Sequence, residues 1–191
     1  MVTMAISAEG TLSADGTWLD VGKITVTAFA AAKTDVAGAP VTNKVLVLPI
    51  RFANSGGNPF TPAQIDTEMQ TNVAPYYQEV SYGQQLLNVT VIPSWLQDLG
   101  NIPIFASGPS AGQCDYDTIG AKADALATAL GYNLANYQNR YYVLPNTATC
   151  GWAGLAYVGF GRSWSNGYNA LWVYGHEIGH NFGLWHGLPA P

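Results

Sequence analysis

The chain carries little charge. Its 191 residues include 7 Lys or Arg and 12 Asp or Glu, which gives a formal net charge of −5 and a charged fraction of 10%. Proteins that bind nucleic acids neutralise phosphates with clustered Lys and Arg, and seven scattered basic residues provide no such patch. We therefore expect no nucleic-acid partner. The low charge, together with 21 Gly and 11 Tyr, favours a loop-rich secreted domain.

Long apolar runs are absent as well. No segment reaches the ~18 consecutive apolar residues needed to cross a bilayer. The start of the chain also lacks the charged residues and apolar stretch of a secretory signal. We therefore expect no membrane span. If the protein is exported, its signal peptide would lie upstream of Met1; the alternative is a cytosolic protein.

Cysteine is scarce, with Cys114 and Cys150 the only two. Neither belongs to a C-x-x-C pair, so the two do not indicate a metal site. A disulfide between them is expected, and closing a loop of this length would stabilise the fold by roughly 3–4 kcal/mol. The alternative is a pair of buried free thiols.

Histidine is equally scarce, and all three histidines lie in one stretch, WVYGHEIGHNFGLWHG. His176 and His180 are four residues apart, so on a helix both imidazoles project from one face, one turn apart. Gly183 lets the helix stop and the chain turn back, which can bring His186 to the same point. Catalytic zinc takes three such ligands and keeps a fourth position for water, so the pattern predicts a Zn²⁺ site.

Glu177 follows the first of these histidines. Its place on the helix puts the carboxylate near the open position of the metal, where it can take a proton from water. We predict that Glu177 is the general base and later the proton donor. The pattern HExxHxxGxxH specifies five positions and is far more specific than HExxH alone. The alternative is a set of core histidines that bind no metal.

On these residues the chain resembles a known family. HEIGHNFGLWH is similar to the zinc signature of the metzincin metallopeptidases. The run GWAGLAYVGFGRSWSNG followed by VYGHEIGHNFGLWH resembles the gametolysin peptidase family within that clan, over roughly residues 43–187. The resemblance implies a metzincin-like zincin fold, zinc ligands at His176, His180 and His186, and a catalytic Glu177. It also implies extracellular or cell-wall glycoproteins as substrates.

The end of the chain departs from that family's pattern. Metzincins carry a methionine turn downstream of the third histidine, where it forms the floor under the zinc. Here Gly187 to Pro191 are the only residues that follow His186, and the methionines Met1, Met4 and Met69 all lie upstream. We therefore expect a catalytic domain truncated after the third zinc ligand.

A segment upstream of the histidines is expected to hold the substrate. In the resembled family the corresponding region supplies an edge strand that forms the upper rim of the cleft. An exposed edge lets an extended peptide add to the sheet as a further strand. We predict main-chain substrate contacts at Gly154, Leu155 and Ala156. The alternative is an interior strand.

Hydrophobic periodicity predicts an active-site helix, two further helices and several strands, and the resemblance implies that they form an α+β fold with a mixed twisted sheet. One helix is expected from Pro62 to Val80, with Thr61 as its N-cap, and another from Asp115 to Leu130. Asp115 and Asp117 favour the dipole of the second helix, and a calcium site at this pair is an alternative. The expected strands are 44–52, 84–92, 140–144, 155–160 and 162–164.

Residues 1–40 differ from the rest of the chain. Alternating residues around possible turns at Asp15–Gly16 and Val21–Gly22 predict short hairpin strands, followed by a linker of small residues. We expect the tail of a propeptide plus a linker, or an ordinary β-rich leader. The metallopeptidase catalytic domain is expected at 41–191.

Together these features predict a secreted, monomeric, zinc-dependent endopeptidase that hydrolyses peptide bonds of extracellular proteins. Two alternatives stay open. One is a non-catalytic zinc-binding or peptide-binding domain, inactive because the floor of the site is missing. The other is a structural or adhesion module whose histidines bind nothing.

Overall fold

The structure is a computed structural model that describes residues 4–12, 19–29, 39–97 and 99–187. The chain divides into two compact units, Met1–Ala39 and Pro40–Pro191. None of the described helices is long and apolar enough to cross a membrane.

In the first unit, strand β1 (Met4–Leu12) pairs antiparallel with strand β2 (Leu19–Phe29). The turn expected at Asp15–Gly16 lies outside the described residues. The turn expected at Val21–Gly22 is wrong, because both residues lie inside β2. There the pairing register shifts by one residue and leaves Gly22 as a β-bulge. A glycine among alternating residues is typical of a bulge as well as of a turn.

The second unit contains a five-stranded mixed sheet with the strand order β4-β3-β5-β7-β6. Its strands are β3 (Val41–Pro49), β4 (Gln85–Val91), β5 (Asn139–Leu144), β6 (Gly154–Ala156) and β7 (Arg162–Asn166). The first four in spatial order run parallel, and β6 pairs antiparallel with β7 at the edge.

Three helical rods flank this sheet. The first consists of α1 (Pro62–Glu68), a π-helical segment (Met69–Val73) and α2 (Ala74–Val80), and the others are α3 (Tyr116–Ala129) and α4 (Leu171–Asn181). The expected α+β fold, with an active-site helix and two further helices, is confirmed. Thr61 caps α1, as expected, because its hydroxyl accepts from the Gln64 amide while the Gln64 side chain accepts from the Thr61 amide.

From Val45 to Pro49, strand β3 lies in the core and is buried on both faces. Val45 and Val47 pack with residues of α1 and α4, whereas Leu46 and Leu48 pack with residues of α3. Successive side chains of a strand point to opposite faces of a sheet. A continuous apolar run therefore fits a parallel strand that is covered on both sides.

Cys114 and Cys150 form a disulfide, with their Cα atoms 5.0 Å apart, so the expected disulfide is confirmed. It joins the segment before α3 to the segment before β6. Next to it, Asp115 accepts a hydrogen bond from the Thr118 amide and caps α3. Asp117 accepts from the hydroxyl of Tyr157 at 2.7 Å, so protein donors serve both carboxylates considered for calcium.

Candidate metal and catalytic site

The helix α4 carries the first two histidines on the face opposite its apolar stripe. Tyr174 and Ile178 of that stripe are fully buried against the sheet. Helical geometry then places His176 and His180 away from the core, one turn apart. The helix ends at Asn181, with Phe182 as its C-cap, because Gly183 has a φ of +89° and its amide donates to the His180 carbonyl at 2.8 Å. Only a glycine adopts this conformation without strain, and the turn sends the chain back towards the helix.

This turn brings His186 to the other two histidines. The Nε2 atom of His186 lies 3.0 Å from that of His176 and 3.1 Å from that of His180, and the latter two Nε2 atoms are 3.1 Å apart. Three imidazole nitrogens thus point at one centre. Tetrahedral zinc with Zn–N bonds of about 2.0–2.1 Å requires ligand nitrogens roughly 3.3 Å apart. The donor set therefore fits zinc in both chemistry and spacing.

The surroundings of His180 and His176 suit the binding of a metal. The Nδ1 atom of His180 lies 2.7 Å from the Leu184 carbonyl oxygen, which can only accept, so Nδ1 carries the proton and Nε2 offers its lone pair. The pKa of His176 lies below its usual value, because burial and the neighbouring rings of His180 and His186 disfavour the charged form.

Glu177 lies beside strand β6 and lines the same cleft as the three histidines. It is 7% exposed, and burial raises the pKa of its carboxyl to about 7, although His180 counteracts the shift. The carboxyl occupies the space where Gly154 has no side chain. A Cβ atom at Gly154 would lie 2.8 Å from the Glu177 Cδ atom, closer than such atoms normally approach.

Strand β6 is an edge strand, so the interior-strand alternative is wrong. Its expected extension to Phe160 is also wrong. The strand ends at Ala156, and a turn with Gly159 at a φ of +76° leads into β7. Leu155 is the pairing partner of Trp164, while the amide of Asn166 donates to the Ala153 carbonyl. Because hydrogen bonding alternates along an antiparallel pair, the main-chain groups of Gly154 and Ala156 point away from β7.

A cleft of about 360 Å³ brings these elements together. It is lined by β6 and Val158, by the three histidines, by Glu177 and by Trp185. All the site residues named from the sequence therefore lie around one cleft, except Cys114 and Cys150, which form the disulfide. A second, more apolar cavity of about 660 Å³ lies between α2 and α4, next to His176 and His180.

One polar residue of the site had no sequence signal. Asn181 follows His180 and ends α4, and its side chain contacts the turn between β6 and β7. Asparagine is common where helices end, so its presence in the sequence indicated no more than a helix terminus.

Comparisons with known proteins identify one family. A sequence model of the family described as gametolysin peptidase M11 matches residues 59–189. No curated protein matches the chain. A solved structure described as "Structure of a chaperone-substrate complex" is similar to 76% of this chain, at 16% identity and a TM-score of 0.48. The present chain covers 26% of the length of that one.

Proposed function

The chain belongs to the gametolysin peptidase M11 family, a family of metallopeptidases, and from this we propose that it is a zinc-dependent endopeptidase acting on extracellular proteins. The observation that carries the proposal is the convergence of three imidazole Nε2 atoms, 3.0–3.1 Å apart, in a cleft shared with a buried carboxyl. Hydrolysis by such a site needs no covalent intermediate, and we assign no nucleophilic Ser or Cys.

His176, His180 and His186 would hold the metal through their Nε2 atoms. Zinc in a three-histidine site supplies Lewis-acid chemistry, polarising a carbonyl group and lowering the pKa of water towards neutrality. Imidazole also binds copper, iron and nickel. We propose zinc because the set offers three imidazole nitrogens and one side of the triad faces the cleft.

Glu177 would act as the proton carrier. A carboxylate takes the proton from the attacking water and then returns it to the leaving amine, so the peptide bond breaks and two free termini form. Burial beneath β6 supports this role, because it holds the carboxyl in one place in an environment where its pKa is raised to about 7.

Strand β6 would orient the substrate. The outward main-chain groups of Gly154 and Ala156 can pair with an extended peptide, as an added strand does. The main-chain groups of Leu155 are directed to β7, so its contribution would come from its side chain. The substrate would lie between this strand and the histidines, with its scissile carbonyl close to Glu177.

The proposed setting is extracellular. A disulfide between Cys114 and Cys150 is typical of proteins from oxidising compartments, and the low charge of the chain is compatible with secretion. We propose a polypeptide substrate from the extracellular space or the cell wall. We further propose that residues 1–40 are a propeptide tail plus linker and that 41–191 belong to the catalytic domain.

Replacing Glu177 by Gln tests the proposal. The variant keeps the size of the side chain but cannot accept the proton. We expect peptide hydrolysis to fall by a factor on the order of 10²–10⁴, while the zinc content stays that of the wild type. Hydrolysis of a quenched fluorescent peptide library and elemental analysis measure the two effects. A wild-type chain that binds zinc and peptide without cleaving it would instead indicate a non-catalytic binding domain.

A further inference from the structure

A single asparagine links the helix α4 to the strand expected to bind substrate. The edge hairpin, defined here as residues 154–166, consists of β6, a turn and β7. Asn181 is 9% exposed, and its side chain makes hydrogen bonds with this hairpin and with strand β5. Because water has little access there, the polar atoms of the side chain must find their hydrogen-bond partners within the protein.

The amide nitrogen of Asn181 holds the turn of the edge hairpin. Its Nδ2 atom donates to the carbonyl oxygens of Tyr157 and Arg162, both at 3.0 Å, and also contacts that of Phe160. These carbonyls belong to the segment where β6 ends and β7 begins. The two amide hydrogens are thus shared among three acceptors of one turn.

The oxygen of the same side chain connects the turn to the sheet. The Oδ1 atom of Asn181 accepts from the Ser163 hydroxyl at 2.7 Å and from the Asn139 amide at 3.0 Å. The Ser163 hydroxyl also lies 3.2 Å from the main-chain oxygen of Glu177. Asn181 therefore joins β5, β7 and the turn to the helix that carries the catalytic groups.

The position of Asn181 on the helix relates these contacts to the catalytic carboxyl. Glu177 and Asn181 are four residues apart and so lie on one face of α4. At one end of β6, Gly154 contacts the Glu177 carboxyl. Just beyond the other end, the turn is bonded to Asn181, and the Gly159 amide donates to the His180 carbonyl at 2.9 Å. The strand therefore packs against the catalytic helix at one end, and the turn beyond its other end is hydrogen-bonded to that helix.

We infer that Asn181 is a positioning residue, which holds the edge hairpin at the distance from Glu177 and the histidines that a bound peptide requires. This inference rests on the proposed function. A peptide paired with β6 keeps its scissile bond in line with Glu177 only while the strand stays in place. Asn181 contacts neither the metal ligand atoms nor the peptide, and it acts through the strand.

Variants of Asn181 test the inference through substrate length. A long peptide uses the outward main-chain groups of β6, whereas a short substrate that spans only the scissile bond does not. For Asn181→Ala we expect kcat/KM to fall at least tenfold for the long peptide and less than threefold for the short one. Zinc content should stay at the wild-type value. Equal losses for both substrates would overturn the inference.

Hydrogen exchange provides a readout that does not depend on activity. In Asn181→Ala the amides of residues 154–163 should exchange at least tenfold faster, because their attachment to α4 is weakened. Unchanged exchange in this segment would overturn the inference. Asn54→Ala is the matched control, since the Asn54 side chain also holds a loop, accepting from the Ile102 amide at 2.8 Å, and lies outside the edge hairpin and the cleft. It should accelerate exchange at Ile102 and leave the ratio of long to short substrate turnover unchanged.

Asn181→Asp covers the case in which the alanine variant does not fold. The aspartate keeps the size and the acceptor oxygen but loses the donors to the turn, so the same dependence on substrate length is expected. Wild-type behaviour of this variant would overturn the inference. A wild-type chain that binds no zinc and cleaves no peptide would instead overturn the proposed function, and the exchange of residues 154–163 would still report whether Asn181 holds the strand.

Discussion

At the scale of single residues, the site depends on an absent side chain as much as on those present. The Glu177 carboxyl fills the space beside Gly154, and a methyl group there would lie 2.8 Å from its Cδ atom. Either the carboxyl or strand β6 would have to move. Because a displacement of about 1 Å in an active site can reduce the rate on the order of 100-fold, this glycine should matter for catalysis.

We predict that Gly154→Ala lowers kcat/KM for peptide hydrolysis roughly tenfold or more, with the zinc content unchanged. Gly151→Ala is the matched control, because a Cβ atom at Gly151 meets no atom within 4 Å. Steady-state kinetics with one peptide measures both variants. Equal activities of the two variants would show that the contact between Gly154 and Glu177 has no catalytic consequence.

The sequence predicts the three metal-binding histidines but not the roles of Gly154 and Asn181. The spacing of His176, His180 and His186 predicted their convergence, because helix periodicity and one glycine turn determine it locally. The roles of Gly154 and Asn181 depend on contacts between α4 and the edge hairpin. These two elements are separate in the sequence and come into contact only when the chain folds. No local pattern of residues carries that information.

At the scale of elements, the helix α4 is held from the side away from β6 by α2. The Tyr77 hydroxyl donates to the Gly175 carbonyl at 2.5 Å in a buried contact. The apolar stripe along residues 62–80 predicted that this helical rod packs against the core. The π-helical segment before Pro75 was not predicted, since a proline signals a local disturbance without indicating how the helix accommodates it.

We predict that Tyr77→Phe lowers the free energy of unfolding by about 1–2 kcal/mol, because a buried hydrogen bond to α4 is lost while the ring stays in place. Tyr76→Phe is the matched control, since the Tyr76 ring is 41% exposed and its hydroxyl makes no hydrogen bond with the described residues. Urea unfolding followed by fluorescence measures the two variants. A loss of stability in Tyr76→Phe as large as in Tyr77→Phe would contradict the prediction.

At the scale of the whole molecule, the disulfide joins parts of the chain that are 36 residues apart. Reduction, or replacement of Cys114 and Cys150 by Ser, should lower the free energy of unfolding by roughly 3–4 kcal/mol, because the unfolded chain gains conformational freedom. Urea titration with and without reductant measures the effect. As the chain has no other cysteine, the reductant acts on this bond alone, and equal stability of both forms would contradict the prediction.

In the two-stranded unit at the start of the chain, the sequence predicted the strands but not how they pair. Alternating residues predicted strands there, and β1 and β2 are strands. The register was not predictable from Val21 and Gly22, because the same dipeptide suits a turn or a bulge and only the partner strand decides between them.

Zinc content tests most directly the proposal that three histidines from one short stretch form a zinc site. Wild type and His186→Ala are dialysed against dilute chelator and analysed for metal. We predict one zinc per wild-type chain. The variant should bind zinc much more weakly or lose it, because two imidazoles remain where three are needed. Wild-type protein without zinc, or a variant that retains it as firmly as the wild type, would contradict the account.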